Sequence, residues 1–240
     1  MKLSIIVPCY NEEKGIPNLA EQLNPVVKEL KRKYTVELVF VDDGSTDKTN
    51  ELLHKYWGTN KNAAILTHKK NKNLGAALKT AFAYASGDYV TALDSDCTYH
   101  PRLIVTMLDM MNDTTDIVTV SPYHPKGKVV NVEPYRIFLS KSASRIYKFL
   151  LHSNIYTISA MVRVYRKEVI KIIKFKSNTF LGVTEIMVRA ILHGYHVTEL
   201  PAELHVRKYG SSKMKTVSVI MEHLKLMTAI ILHQLFGIKI

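Results

Sequence analysis

Two aspartates one residue apart, Asp94 and Asp96, directly follow an apolar run from Tyr89 to Leu93. At a strand end such a pair offers hard oxygen ligands with which a divalent cation, Mg2+ or Mn2+, can bridge protein and diphosphate. The same spacing also serves turns and caps, so it gains weight from two further acidic clusters, Pro8-Cys9-Tyr10-Asn11-Glu12 and Asp42-Asp43-Gly44-Ser45. In the latter, Ser45 or Thr46 could cap a following helix and Gly44 could supply a positive φ. Two consecutive carboxylates exceed that need, leaving one for a nucleotide base or ribose. Four cations of the second half, Arg136, Arg163, Arg207 and Lys213, could hold phosphate groups against one another or simply form a solvated basic face. Glu185 could take a proton from a hydroxyl acceptor, or pair with Arg189 one helical turn on.

The elements that must position these groups alternate. Leu3–Val7 and Val36–Val41 read as buried strands, with Ile16, Leu19, Ala20, Leu23, Val26, Val27 and Leu30 at helical spacing between them. A helix is expected from near Thr46, a strand over Ala63–Thr67, a third helix burying Leu74, Ala77, Leu78, Ala81, Phe82 and Ala85, and a strand over Tyr89–Leu93. This alternation predicts an α/β fold with a mostly parallel sheet flanked by helices. Ligands of such sheets lie beyond the carboxyl ends of the strands, where all three acidic clusters fall. After Ile117–Val120 come a loop, a basic helix over Pro134–Leu151 and a second β/α-like segment to Leu200. From Ser211 onward Val217, Ile220, Met221, Leu224, Met227, Ile230, Ile231 and Leu235 form an apolar helical stripe. We therefore expect one domain over residues 1–210 and an amphipathic helical segment over 211–240.

Composition limits the partners. With 33 basic and 21 acidic residues the formal charge is +12, which favours phosphates, nucleic acid or an anionic lipid surface. No nucleic-acid module, zinc spacing or interleaving of aromatic and basic residues supports the second of these. Cys9 and Cys97 lie outside any metal-type spacing and read as reduced thiols. The ten histidines form no cluster of convincing spacing, although His100, His124 and His205 fall near loops. The apolar run at the start is too short for a signal peptide. No stretch reaches the roughly 18 to 20 apolar residues of a spanning helix. The nearest, 227–238, is interrupted by His233 and Gln234.

The run Ser4-Ile5-Ile6-Val7-Pro8-Cys9-Tyr10-Asn11-Glu12-Glu13, then Val41-Asp42-Asp43-Gly44-Ser45-Thr46-Asp47, Asn73-Leu74-Gly75 and Gly87-Asp88-Tyr89 leading to Asp94-Ser95-Asp96, resembles the family 2 glycosyltransferases of the GT-A (Rossmann-like) fold. That resemblance implies nucleotide-sugar contacts from Pro8, Tyr10, Glu12, Asp43, Asp94 and Ser95, and metal contacts from Asp94 and Asp96. Arg207-Lys208-Tyr209-Gly210-Ser211-Ser212-Lys213 and Pro134-Tyr135-Arg136 narrow it to the polyprenyl-phosphate sugar synthases. In that subgroup the arginine and lysine of the closing motif face phosphates. Arg207 and Lys213 inherit this role, as does Arg136 from its place four residues before Ser140. Two positions depart from the subgroup: Pro122 stands where it has arginine, and Thr98 where it often has glutamine.

The resemblance implies an inverting, metal-dependent transfer of a sugar from a GDP- or UDP-linked donor to a polyprenyl phosphate. Asp96, Arg136, Arg163, Arg207 and Lys213 would do the work around the phosphates. Two other readings are a family 2 transferase acting on a glycan hydroxyl, with Glu185 as base, and a nucleotide-sugar-binding subunit without catalysis. A lipid-linked acceptor places the protein at the cytoplasmic face of a membrane or in the cytoplasm, with a membrane subunit as a further partner. The apolar stripe then lies on the headgroup region, on the domain's own core or on that subunit.

Overall fold

A computed structural model of the chain describes residues 1–210 and 216–238. Its elements run β1 (Lys2–Cys9), α1 (Ile16–Leu30), β2 (Thr35–Asp42), α2 (Thr49–Trp57), β3 (Ala63–Thr67), α3 (Leu74–Tyr84), β4 (Tyr89–Ala92) and α4 (Leu103–Asp109). There follow β5 (Ile117–Ser121), β6 (Lys128–Val130), α5 (Pro134–Leu150), β7 (Arg163–Arg166), α6 (Lys167–Ile172), α7 (Leu181–Leu192), β8 (Val197–Pro201), β9 (Glu203–His205) and α8 (Thr216–Phe236). The main sheet has the order β3-β2-β1-β4-β7-β5-β8. Every pairing in it is parallel except those of β7, which runs antiparallel to both β4 and β5.

β1 is buried from Leu3 to Cys9, as a strand covered on both faces must be. In register it pairs Ile5 with Leu38 on one side and with Thr91 on the other. α1 buries the seven apolar residues of its periodic stripe. Beneath α2, Trp57 stacks on Phe40 with ring centroids 4.3 Å apart and donates its indole N–H to Asn24 at 2.9 Å. The small residues of α3 let that helix approach closely: a Cβ on Gly75 would lie 2.4 Å from the Ser177 carbonyl oxygen. This glycine brings the 177–180 segment against the start of α3, where the site lies.

α2 starts at Thr49 rather than near Thr46, because Ser45 and Thr46 are used otherwise. The Ser45 hydroxyl accepts from the Asn11 amide at 2.9 Å, and the Thr46 amide donates to Asn11 Oδ1 at 2.8 Å. The loops after β1 and β2 are thus laced together, and Glu12 N–H donating to Thr49 Oγ1 at 2.8 Å adds to the lacing. Gly44, at φ +71°, packs against the Lys70 backbone, where a Cβ would meet the carbonyl carbon at 2.4 Å.

The last helix falls within the expected 211–240 segment but meets a membrane-span criterion of length and mean composition that its unbroken apolar runs do not. α8 is 21 residues long, and Val217–Phe236 is long and apolar enough, by length and composition, to cross a membrane. An unbroken apolar run is a stricter test than the average over a helix, which tolerates His223, Lys225, His233 and Gln234. Only its middle is covered: Leu226, Met227 and Ile230 are buried against α5 and α7. Val217, Met221, Leu224, Leu235 and Phe236 are exposed, so part of the expected stripe faces outward.

Candidate active site

The loops after β1, β2 and β4 close on one cleft of about 440 Å3 at the carboxyl edge of the sheet. Pro8, Tyr10, Glu12, Asp43, Asp94, Ser95, Asp96 and Arg207 all line it. Eight of the expected site residues therefore meet at one place, from positions up to 199 residues apart in sequence.

The structure divides the Asp42-Asp43 pair. Asp42 holds its own turn, accepting from Ser45 N–H at 3.0 Å and from the Asn50 amide at 2.9 Å. Asp43 faces the cleft and is clamped by Asn71 Nδ2 and Lys72 N–H, each at 3.0 Å, and by His68 Nδ1 at 2.6 Å. His68 in turn meets the Thr80 hydroxyl at 2.9 Å. Neither His68 nor Asn71 was picked out from sequence. The available signal was position, since both follow β3, the strand beside β2.

Asp94 and Asp96 leave β4 into a tight turn in which Asp96 Oδ1 accepts from Thr98 N–H at 3.0 Å. Burial, reinforced by the Asp96 carboxylate and then by Glu12, pushes the Asp94 carboxyl well above the usual carboxylate range, and Arg207 only partly offsets this. Arg207 bridges Asp96 and Glu12, with Nη2 2.5 Å from Asp96 Oδ2 and 3.5 Å from Glu12 Oε1. It arrives from the far end of the chain because β9 pairs with β6, and His205 N–H bonds the Thr98 carbonyl at 3.1 Å. The two crowded carboxylates of Asp94 and Asp96 would form a donor set suited to a hard divalent cation. Among the described residues no third side chain of metal-ligand type completes the set.

A second cavity, of about 260 Å3, adjoins the first and shares Leu74, Asp94, Met161 and Phe180 with it. Its polar wall consists largely of hydroxyls, from Tyr123, Ser140, Thr157, Ser159 and Thr184, with His223 of α8 at one side. Ser140 and Ser159 lie 3.2 Å apart, and Ser121 and Thr157 2.8 Å. Apart from Ser140, sequence alone did not reveal these residues, since isolated serines and threonines carry no spacing signal. Pro122 lies in this wall, and no lysine or arginine among the described residues does.

Three expected residues are not brought to the cleft. Arg163 is fully buried on β7, and its guanidinium donates to the Ile158 and Val183 carbonyls at 2.6 Å each. It ties the 155–160 connection and the first turn of α7 to the sheet instead of meeting a ligand. Glu185 is likewise buried and saturated, accepting from Lys176 N–H at 2.9 Å, Ser177 N–H at 2.8 Å and Arg189 Nε at 2.8 Å. It lines neither cavity. Arg136 is exposed in the first turn of α5, 3.1 Å from the Tyr135 hydroxyl, one helical turn before Ser140. Lys213 lies outside the described residues.

Comparison with known proteins identifies the family. The chain is 30% identical over 217 residues to the polyprenol monophosphomannose synthase of Mycolicibacterium smegmatis, covering 88% of this chain and 80% of that protein. It is also 30% identical over 222 residues to the dolichol-phosphate mannosyltransferase of Pyrococcus furiosus, covering 90% of this chain but 60% of that longer protein. Among solved structures, the glucosyl-3-phosphoglycerate synthase of Mycobacterium tuberculosis, in complex with Mn2+, UDP and glucosyl-3-phosphoglycerate, superposes with a TM-score of 0.71. That match has 18% identity and covers 100% of this chain and 81% of the other, and it shows the shared GT-A fold. The model of the family described as "Glycosyl transferase family 2" matches residues 4–173, most of the sheet and all the acidic residues of the cleft, and the chain belongs to that family as a glycosyltransferase.

Proposed function

We propose that the protein is an inverting, metal-dependent synthase that moves a sugar from a GDP- or UDP-linked donor to a polyprenyl phosphate at a membrane surface. One observation carries this reading: the acid-lined cleft and the hydroxyl-lined cavity share Asp94, Met161, Leu74 and Phe180 as a common wall. A donor in the first and an acceptor in the second would meet at that wall. The names of the two relatives supply the acceptor class and make mannose the first sugar to test.

In this reading Pro8, Tyr10, Glu12 and Asp43 hold the nucleoside, and the clamp on Asp43 preorganises it for a base or ribose hydroxyl. Asp94 and Asp96 would hold Mg2+ or Mn2+, with Ser95 beside the donor, and a cation there would neutralise the departing diphosphate. Arg207 reaches the same place and would turn from Asp96 to the phosphates as donor enters. The acceptor phosphate oxygen is anionic near neutral pH and needs no general base. It attacks the anomeric carbon as the bond to the nucleoside diphosphate breaks, inverting configuration. Arg136, on the Ser140 side of α5, and Lys213 would attend the acceptor phosphate.

The acceptor's chain would leave the second cavity along α5 and α8, whose Phe138, Phe149, Val217 and Leu235 are exposed. That face would lie on the headgroup region of a membrane, at its cytoplasmic side. One observation favours a hydroxyl acceptor instead, namely the absence of a described cation in the second cavity. The base expected for that reading, Glu185, is fully engaged elsewhere. The test incubates protein and Mg2+ or Mn2+ with radiolabelled nucleotide-sugars and a short polyprenyl phosphate, with Asp96→Ala alongside. Label in the organic phase that disappears in the variant supports the proposal. Metal-dependent donor hydrolysis without lipid labelling transfers the support to another acceptor.

A further inference from the structure

A third cavity, of about 340 Å3, opens between α5 and the 151–160 connection, and the chemistry of its walls differs from that of the other two. Lys141, Arg145 and Lys148 line it at positions i, i+4 and i+7 of α5, on one face of the helix. Tyr123, Ser144 and Tyr156 complete its polar surface, and no carboxylate lines it. Lys148 Nζ lies 4.2 Å from the Tyr156 ring centroid, whereas Lys141 and Arg145 make no ion pair among the described residues. The nearby acid, Glu199, is committed to the Tyr156 and Thr157 amides at 2.9 Å each. Cations one helical turn apart repel each other, and here nothing in the described protein neutralises them.

The surroundings narrow the occupant. Phe138, Ile146 and Phe149 of the same helix are 71%, 46% and 76% exposed. Gln234 of α8 donates to the Leu150 carbonyl at 2.6 Å, which sets the exposed Leu235 and Phe236 beside the end of α5. A seat for an anion on a helix that also exposes large apolar side chains matches an amphiphile better than a free ion.

We propose that this groove binds the phosphodiester headgroup of an anionic membrane lipid, at a site separate from the transferase's own cavities. The groove shares only Tyr123 with the second cavity, so a lipid held there would keep that cavity's mouth at headgroup level. The inference rests on the membrane-facing reading of α5 and α8, and its test keeps the two apart.

The full chain is titrated with vesicles of phosphatidylcholine alone and of equimolar phosphatidylcholine and phosphatidylglycerol. The expected result is preference for the anionic vesicles, reduced on the order of 100-fold in the variant Lys141→Gln/Arg145→Gln/Lys148→Gln, from roughly fivefold per basic residue. The equally charged control Lys31→Gln/Arg32→Gln/Lys61→Gln, at exposed sites away from the groove, should bind like the parent. Lys141→Arg/Lys148→Arg should retain the preference. Equal losses in the two triple variants would reduce the effect to net charge and overturn the site. Displacement of anionic vesicles by inorganic phosphate, beyond that by chloride at equal ionic strength, would assign the groove to a free phosphate and overturn the lipid. No preference in the parent overturns it also. Calorimetry with the nucleotide-sugar on the same samples reads the acidic cleft independently, so loss of donor binding there would strike the proposed function and leave the groove untouched.

Discussion

The two halves of the molecule handle polarity in opposite ways. In the first, from β1 to β4, the cleft carboxylates are braced: Asp43 by His68, Asn71 and Lys72, Asp96 by Thr98 and Arg207. In the second, the cavity is walled by hydroxyls paired with one another, and the helices outside it expose Phe138, Phe149, Leu224 and Leu235. A charged, hydrophilic donor calls for fixed dipoles that need not reorganise when it binds. A long apolar acceptor calls for a neutral entrance and an oily exterior. Under the proposed function, the contrast is the physical form of a reaction between a water-soluble and a lipid-soluble partner.

Substitutions in each half should separate these roles. The largest effect is expected from Asp96→Ala, which should lower transfer by roughly 1000-fold in steady-state assays while the protein stays folded. Arg163→Met removes the donor to two buried carbonyls and should cost about 3 kcal/mol in denaturant unfolding. If it instead left stability intact and abolished transfer, Arg163 would belong with the phosphate-binding cations after all. Glu185→Gln should cost about 2 kcal/mol by loosening the 176–177 amides and Arg189, with kcat in the remaining folded protein largely preserved. A selective loss of kcat would restore Glu185 as a base. Tyr147→Phe breaks the 3.0 Å bond to His223 that helps fasten α8 to α5 and should cost about 1 kcal/mol, seen as faster amide exchange in α8.

The smallest effect at neutral pH is expected at the edge of the first half. Burial alone would raise the Glu37 carboxyl, but hydrogen bonds from Lys2, Ser4 and Ser86 outweigh it and hold it down to about 2. A depressed carboxyl stabilises the fold above its ordinary range and loses that contribution as pH falls towards about 2. Glu37→Gln should therefore be less stable than the parent at neutral pH, with the difference closing on acidification. A constant gap down to pH 2 would show that packing, not ionisation, sets the difference.

Much of the first half was legible in the sequence because its signals are local. Apolar runs ending in Pro8, Asp42 and Asp94 mark strand ends, and parallel strands gather those ends on one edge whatever the details of packing. The cleft residues followed, Arg207 included through its motif. The second half was less legible. The antiparallel insertion of β7 has no local mark, because the pattern of Arg163-Val164-Tyr165-Arg166, two apolar residues between two arginines, is the same in either direction.

The sequence by itself determined the alternation of strands and helices, the edge at which the acids collect and the family to which they point, since each depends on neighbours within a few residues. Only the tertiary structure decided that Asp42 closes a turn while Asp43 faces the cleft, that Arg163 and Glu185 brace the core, and that α8 buries its middle and exposes much of its apolar stripe. A carboxylate or guanidinium takes its role from the donors and acceptors that distant segments bring within about 3 Å of it, and those partners exist only once the chain has folded.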